Sequence, residues 1–151
     1  MKEQTLMPAT HASLQEMQEW MEKTLETSKA YTLNVAKAMP SGGWTSKPAD
    51  SIWNFGELIH HIAYGIQWWQ ENYVKGNPTS WDPPAVKENQ NEVLTYLEKS
   101  YDELRKTINR TTLTVEMMKG FLATLDHITH HRGQAVIYLR YQGITPPEYT
   151  Y

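Results

Sequence analysis

Apolar residues recur every three or four positions in four long blocks of this chain, and no block alternates with the period of two that a half-buried strand needs. The blocks are separated by helix breakers. Pro40-Ser41-Gly42-Gly43 ends the first, Gly76-Asn77-Pro78 the second, and Gly143 with Pro146-Pro147 the last. This pattern predicts an all-α chain, a four-helix bundle forming a single domain over 1–151. At 151 residues and 40% hydrophobic content the chain can bury a full core.

The first helix is expected from Thr10 or Ser13, with Ser13-x-x-Glu16 at capping-box spacing, to about Met39. Leu14, Met17, Met21, Leu25, Leu33 and Ala36 form its apolar face, and residues 1–9, with Pro8, read as a loosely tied start. The second is expected over 51–75 from a cap at Asp50 or Ser51, with Phe55, Leu58, Ile59, Ile62, Ile66, Trp69 and Tyr73 facing the core. The third is expected from Val86 to Asn109 on Val93, Leu94, Leu97, Tyr101, Leu104 and Ile108. The fourth is expected over 114–142, capped by Thr114, with Phe121, Leu125, Ile128, Ala135, Val136 and Leu139 inward. Gly143 suits the left-handed position after its last turn. The loop lengths leave the connectivity open.

Several function classes are disfavoured by composition. There is no cysteine, hence no disulfide, thiolate zinc site or thiol nucleophile. A net charge of -3 offers no basic footprint for nucleic acid, so direct DNA binding is the weakest reading. No apolar run approaches a membrane span. With no apolar signal segment after Met1, a cytoplasmic protein is expected.

The chemistry concentrates in Leu125-Asp126-His127-Ile128-Thr129-His130-His131-Arg132-Gly133-Gln134, which holds three of the six histidines. His127 and His131 are four apart, so on a helix both rings project from one face and can chelate one ion. At about 100° per residue they lie about 90–130° off the centre of the fourth helix's apolar stripe, beside Gln134 and Tyr138. His61 occupies the matching flank of the second helix. His60 and His130 point away and read as surface residues, and His11 as solvated. His61, His127 and His131 are therefore the candidate metal ligands. Three imidazoles leave coordination positions open, as in catalytic rather than structural sites, and suit Zn or Ni among other divalent ions. Ile128 stands where a metalloprotease helix would carry Glu.

Other residues have two readings each. Arg132 falls near the centre of the apolar stripe, a costly place for an unpaired charge. A salt bridge to a Glu or Asp, for example Glu57, is the expected resolution, and binding of an anionic substrate or positioning of a partner helix is the functional alternative. Gln134 and Tyr138 either bond an imidazole's second nitrogen or a metal-bound water, or simply pack. Glu57, one turn before His61, orients that ring or acts as a base, or else is solvated. Trp68 and Trp69 read as core and pocket wall, and Trp44, Trp53 and Trp81 as a pocket mouth or a dimer surface.

His127-x-x-x-His131-Arg132-Gly133-Gln134, followed by Tyr138-Leu139-Arg140 and Gly143-Ile144-x-Pro146-Pro147-x-Tyr149, resembles the C-terminal signature of the DinB/YfiT-like superfamily. Glu57-Leu58-Ile59-x-His61 resembles its second-helix signature, and the likeness runs from about residue 14 to 149. The resemblance implies a four-helix bundle with a long cross-connection, a divalent metal on His61, His127 and His131, and a homodimer. The family's name comes from DNA-damage-inducible expression and implies no nucleic-acid contact. Its characterised members are metal-dependent transferases or isomerases that use a low-molecular-weight thiol such as bacillithiol or mycothiol. The expectation is thus a metal-dependent enzyme, a hydrolase or a thiol S-transferase acting on small electrophiles. The alternative is a non-catalytic, metal-stabilised binding or stress-response protein.

Overall fold

A computed structural model describes residues 11–151 and contains four α-helices, with no strand among the described residues. They are α1 (His11–Ala38), α2 (Phe55–Trp69), α3 (Gln90–Arg110) and α4 (Val115–Tyr141). A short 3-10 turn at Ser41–Gly43 follows α1, and a π-helical turn at Gln70–Val74 continues α2. Pro8, the cap candidate Thr10 and the side chain of His11 lie outside the described residues. Ser13 is not the cap, because α1 is already running at His11.

Each of α1 and α2 packs against both α3 and α4, so α1 and α2 stand at opposite corners of the bundle. The 39–54 connection crosses between those corners. Trp44 is buried within it, donates from Nε1 to the Met39 carbonyl at 3.0 Å and meets the Phe55 ring edge to face. That is a core role for Trp44, neither pocket mouth nor dimer surface. The core between the four helices includes Met21, Leu25, Phe55, Ile59, Ile62, Leu97, Leu104, Phe121, Ile128 and Leu139. Each fully buried side chain of this kind contributes about 1.5–3 kcal/mol relative to exposure. Leu14 lies outside it and is exposed.

Helix ends follow side-chain chemistry. Thr114 caps α4 through a bond from the Met117 amide at 3.1 Å, where expected. At the other end Gly143 takes φ +73. Its amide bonds the Arg140 carbonyl, and the Ile144 amide bonds that of Leu139, a Schellman closure that needs a residue free of Cβ strain. The start of α2 differs from expectation. Neither Asp50 nor Ser51 caps it; Asn54 does. Asn54 Oδ1 accepts from the Glu57 amide at 2.8 Å, and the Glu57 carboxylate accepts from the Asn54 amide at 2.7 Å. Helix α3 starts at Gln90 under an Asn89 cap, not at Val86, because no apolar residue between 86 and 93 gives a helix there a face to bury.

At the end of α2 the π turn shifts the register. Val74 becomes buried, while Tyr73, expected in the core, is 48% exposed. The loop that follows folds back along α2. The Trp68 indole donates to the Thr79 carbonyl at 3.2 Å, and the Asp82 amide donates to the Tyr64 hydroxyl at 2.8 Å. These bonds hold Trp81 over the outer flank of α2. Among the described residues no helix is long and apolar enough to cross a membrane.

Candidate metal centre

The three histidines singled out by spacing meet at the seam between α2 and α4. His61 Nε2 lies 3.0 Å from His131 Nε2 and 3.1 Å from His127 Nε2. His127 and His131, one turn apart, hold their rings 4.6 Å apart at 68°. The group is the set of potential ligand side chains that converges among the described residues. Each ring is half-buried.

Protonation favours ligation. Burial is the main cause that pushes both His61 and His127 down to about 4, and the other histidines' positive charge adds to it. His131 is lowered too, again chiefly by burial, against a bond to Gln134 that works the other way. At neutral pH all three imidazoles are neutral, the state a metal needs.

Gln134 settles which nitrogen of His131 is free. Its Oε1 can only accept, and it lies 2.7 Å from His131 Nδ1, so the proton sits on Nδ1 and Nε2 presents a lone pair to the other two rings. His127 Nδ1 is buried with no hydrogen-bond partner. Three nitrogens pointing at one another cannot all be satisfied by the few protons available to neutral rings. A divalent ion satisfies them together. At a metal–nitrogen distance of about 2.0–2.1 Å, ligand nitrogens stand about 2.9 Å apart for right-angle geometry and about 3.3 Å apart for tetrahedral geometry. The two separations from His61, 3.0 and 3.1 Å, fall in that interval, and the ligand atoms of all three residues lie within 4.8 Å of one another. The donor set therefore fits a divalent metal, and the cluster could hold one.

Backbone and aromatic neighbours shape the site. Gly65, one turn beyond His61, allows α4 to bring His127 close, since a Cβ there would lie 2.1 Å from the His127 ring. Trp53 lies against His61 with ring centroids 4.5 Å apart, and Trp81 flanks the same ring at 5.4 Å. Tyr138 donates its hydroxyl to the Trp53 carbonyl at 2.5 Å, which ties the loop before α2 to α4 beside the histidines. A cavity of about 590 Å³ opens next to His131, with walls of Ile52, Trp53, Leu58, Ile137 and Tyr138 and Gln134 at its edge. No charged side chain lines it.

The remaining candidates divide. Gln134 holds a ligand's second nitrogen, one of its two expected roles; Tyr138 does not, being spent on Trp53. Glu57 is neither a ring-orienting group nor Arg132's partner, because its carboxylate closes the α2 cap. Arg132 is buried but bridges to no carboxylate among the described residues. Its Nη1 donates to Thr32 Oγ1 at 3.1 Å and Ser28 Oγ at 3.3 Å, and its guanidinium lies over the Tyr31 ring. His130 is exposed as expected, but His60 is only 3% exposed and packs against Tyr96. A wheel centred on one neighbour misplaced it, since α2 buries faces against both α3 and α4. The capping pair Asn54–Glu57 was visible as N-x-x-E spacing, and Gly65 as a glycine one turn from His61.

A family model described as the DinB superfamily matches residues 24–135, which include all three histidines. Among solved structures, a DinB-like protein from Bacillus cereus ATCC 10987 is similar in fold, with a TM-score of 0.74 at 15% identity. The match covers 87% of this chain and 97% of that one. No curated protein matches.

Proposed function

Because this chain belongs to the DinB superfamily, we propose that it is a divalent-metal enzyme whose ion is held by Nε2 of His61, His127 and His131. The convergence of those three neutral nitrogens on one point carries the reading. A divalent ion in such a site lowers the pKa of a coordinated water or thiol, so that a nucleophile exists near neutral pH. Gln134 fixes the orientation and tautomer of His131. Trp53 and Trp81 limit water at His61, and the apolar cavity beside His131 receives an uncharged small substrate.

Thiol transfer fits these surroundings better than hydrolysis. No carboxylate lines the cavity to act as general base, and Glu57 is committed to the helix cap. A thiol ionised at the site needs no such base. Its sulfur would form a bond to the electrophilic carbon, the leaving group would depart with the bonding pair, and the thiol proton would pass to solvent.

Metal content of tag-free protein, wild type beside His61→Ala, tests the site. About one equivalent in wild type and none in the variant is expected. Cobalt-loaded protein then tests the chemistry, since a thiol bound at the open position adds a sulfur-to-cobalt charge-transfer band. Metal that raises the melting temperature while no thiol perturbs the cobalt spectrum would favour the non-catalytic, metal-stabilised alternative.

A further inference from the structure

On the face of α4 turned away from the histidines lies a second cavity, of about 440 Å³, between α4, Tyr31 of α1 and the segment that follows Gly143. We propose that it is a binding site for a small molecule bearing a carboxylate or phosphate on an apolar body, with Arg132 and Arg140 as the anion's partners.

Arg132 lines this cavity, yet it is only 5% exposed. Two of its five N–H donors are accounted for through Nη1, by the hydroxyls of Ser28 and Thr32. Those hydroxyls are themselves bound to the buried Tyr101 phenol at 3.0 and 2.8 Å. Nη2 and Nε have no acceptor among the described residues. Neutral hydroxyls and the Tyr31 ring face, 4.7 Å from the guanidinium carbon, do not neutralise a buried cation. The acids that α3 presents to α1, Asp102 and Glu98, are occupied by Lys29 at 2.6 and 3.7 Å.

The cavity supplies a second guanidinium, Arg140, two turns along the same face of α4, and one acid, the exposed Glu148. Two cations against one carboxylate leave a net positive site, and a planar guanidinium suits the paired oxygens of a carboxylate or phosphate. Val136, Pro146, Pro147 and Tyr149 make the remaining wall apolar, and Tyr149 is held edge-on to Tyr31 at 5.4 Å. Gly133 opens onto the same space, where an added Cβ would meet nothing within 4 Å.

Calorimetric titration of the full chain at fixed ionic strength tests this, with phenyl phosphate, benzoate, inorganic phosphate and phenol as probes. Saturable one-to-one binding of phenyl phosphate or benzoate is expected, tighter than inorganic phosphate, with none for phenol. Whichever aromatic anion binds better identifies the oxyanion. Arg132→Gln tests the buried cation but risks the fold, so two further variants carry the result. Arg140→Gln removes the accessible cation, and Gly133→Glu adds a carboxylate to the cavity wall next to Arg132, at a position where the new Cβ has room. Both should weaken binding roughly tenfold or more, as loss of a charge-assisted hydrogen bond does, while metal uptake stays at the wild-type level. No saturable binding, binding no tighter than inorganic phosphate, or binding unchanged in both variants overturns the proposal.

Discussion

Gly65 and His127 are sterically matched: a Cβ built on Gly65 would come within 2.1 Å of His127 Cε1 and 3.0 Å of its Nε2. Neither atom group can move freely, since one lies on the buried backbone of α2 and the other belongs to a ring packed between Trp69 and His61. Gly65→Ala should therefore displace the imidazole from its place opposite His61. Helix propensity alone would favour Ala by about 1 kcal/mol, so the helix itself should survive. The expected outcome is an intact helical far-ultraviolet spectrum with metal affinity lowered at least tenfold, read by competition with a fluorescent zinc chelator. Wild-type affinity in this variant would mean that His127 does not need its observed position.

Gln134 offers a graded test of the His131 tautomer. Removing its carbonyl with Gln134→Leu frees His131 to rotate and to place its proton on Nε2. Loss of such a partner typically costs 10–100-fold in metal affinity. Gln134→Glu keeps an acceptor on Nδ1 and adds negative charge, so it should bind at least as tightly as wild type. The same competition assay ranks the three, and an order with the leucine variant tightest would remove Gln134 from the site.

His61, His127 and His131 were legible because an i, i+4 pair on one helix and a single flank position on another require only helical periodicity to place them. Gly143 was legible for a similar reason, as a local chemical signal at a boundary with no competitor nearby, and Thr114 as the last of three neighbouring threonines before the apolar block. The start of α2 was obscured because Asp50, Ser51 and Asn54 are all capping residues within five positions, and only the reciprocal bond to Glu57 selects Asn54. His60 was misplaced because periodicity reports the average buried direction, whereas α2 sits at a corner with neighbours on two sides. Arg132 illustrates a third kind of failure. Its burial was readable, but its hydroxyl partners on α1 lie about a hundred positions away in sequence, and no local rule reaches them.

Acid should destabilise the metal-free protein, and the sign follows from the lowered histidines. In the unfolded chain His61 and His127 titrate near 6.5, and in the fold near about 4. Between those values the unfolded state binds more protons, so stability falls as pH drops through 6.5 and the loss levels off near 4. Above 6.5 these groups contribute no slope. Urea midpoints of chelator-treated protein at several pH values should show this decline, and His61→Ala/His127→Ala should flatten it. A double variant as acid-sensitive as wild type would assign the decline to other groups.

Tyr138 links the two halves of the site, and its hydroxyl can be removed without changing its shape. Tyr138→Phe deletes the bond to the Trp53 carbonyl and leaves that carbonyl without its partner. The stability cost should be about 0.5–1.5 kcal/mol, the net contribution of an ordinary hydrogen bond, because the Trp53 carbonyl is only part-buried. The larger consequence should appear at Trp53, whose ring lies on His61 while 46% of the residue remains exposed. Without the tether the 50–54 segment should loosen, so that acrylamide quenches tryptophan emission more readily and bound metal exchanges faster with a chelator. Equilibrium affinity should change less than in Gly65→Ala, because all three imidazoles keep their helical supports. Unchanged quenching and exchange in Tyr138→Phe would show that Trp53 is held over His61 by packing alone.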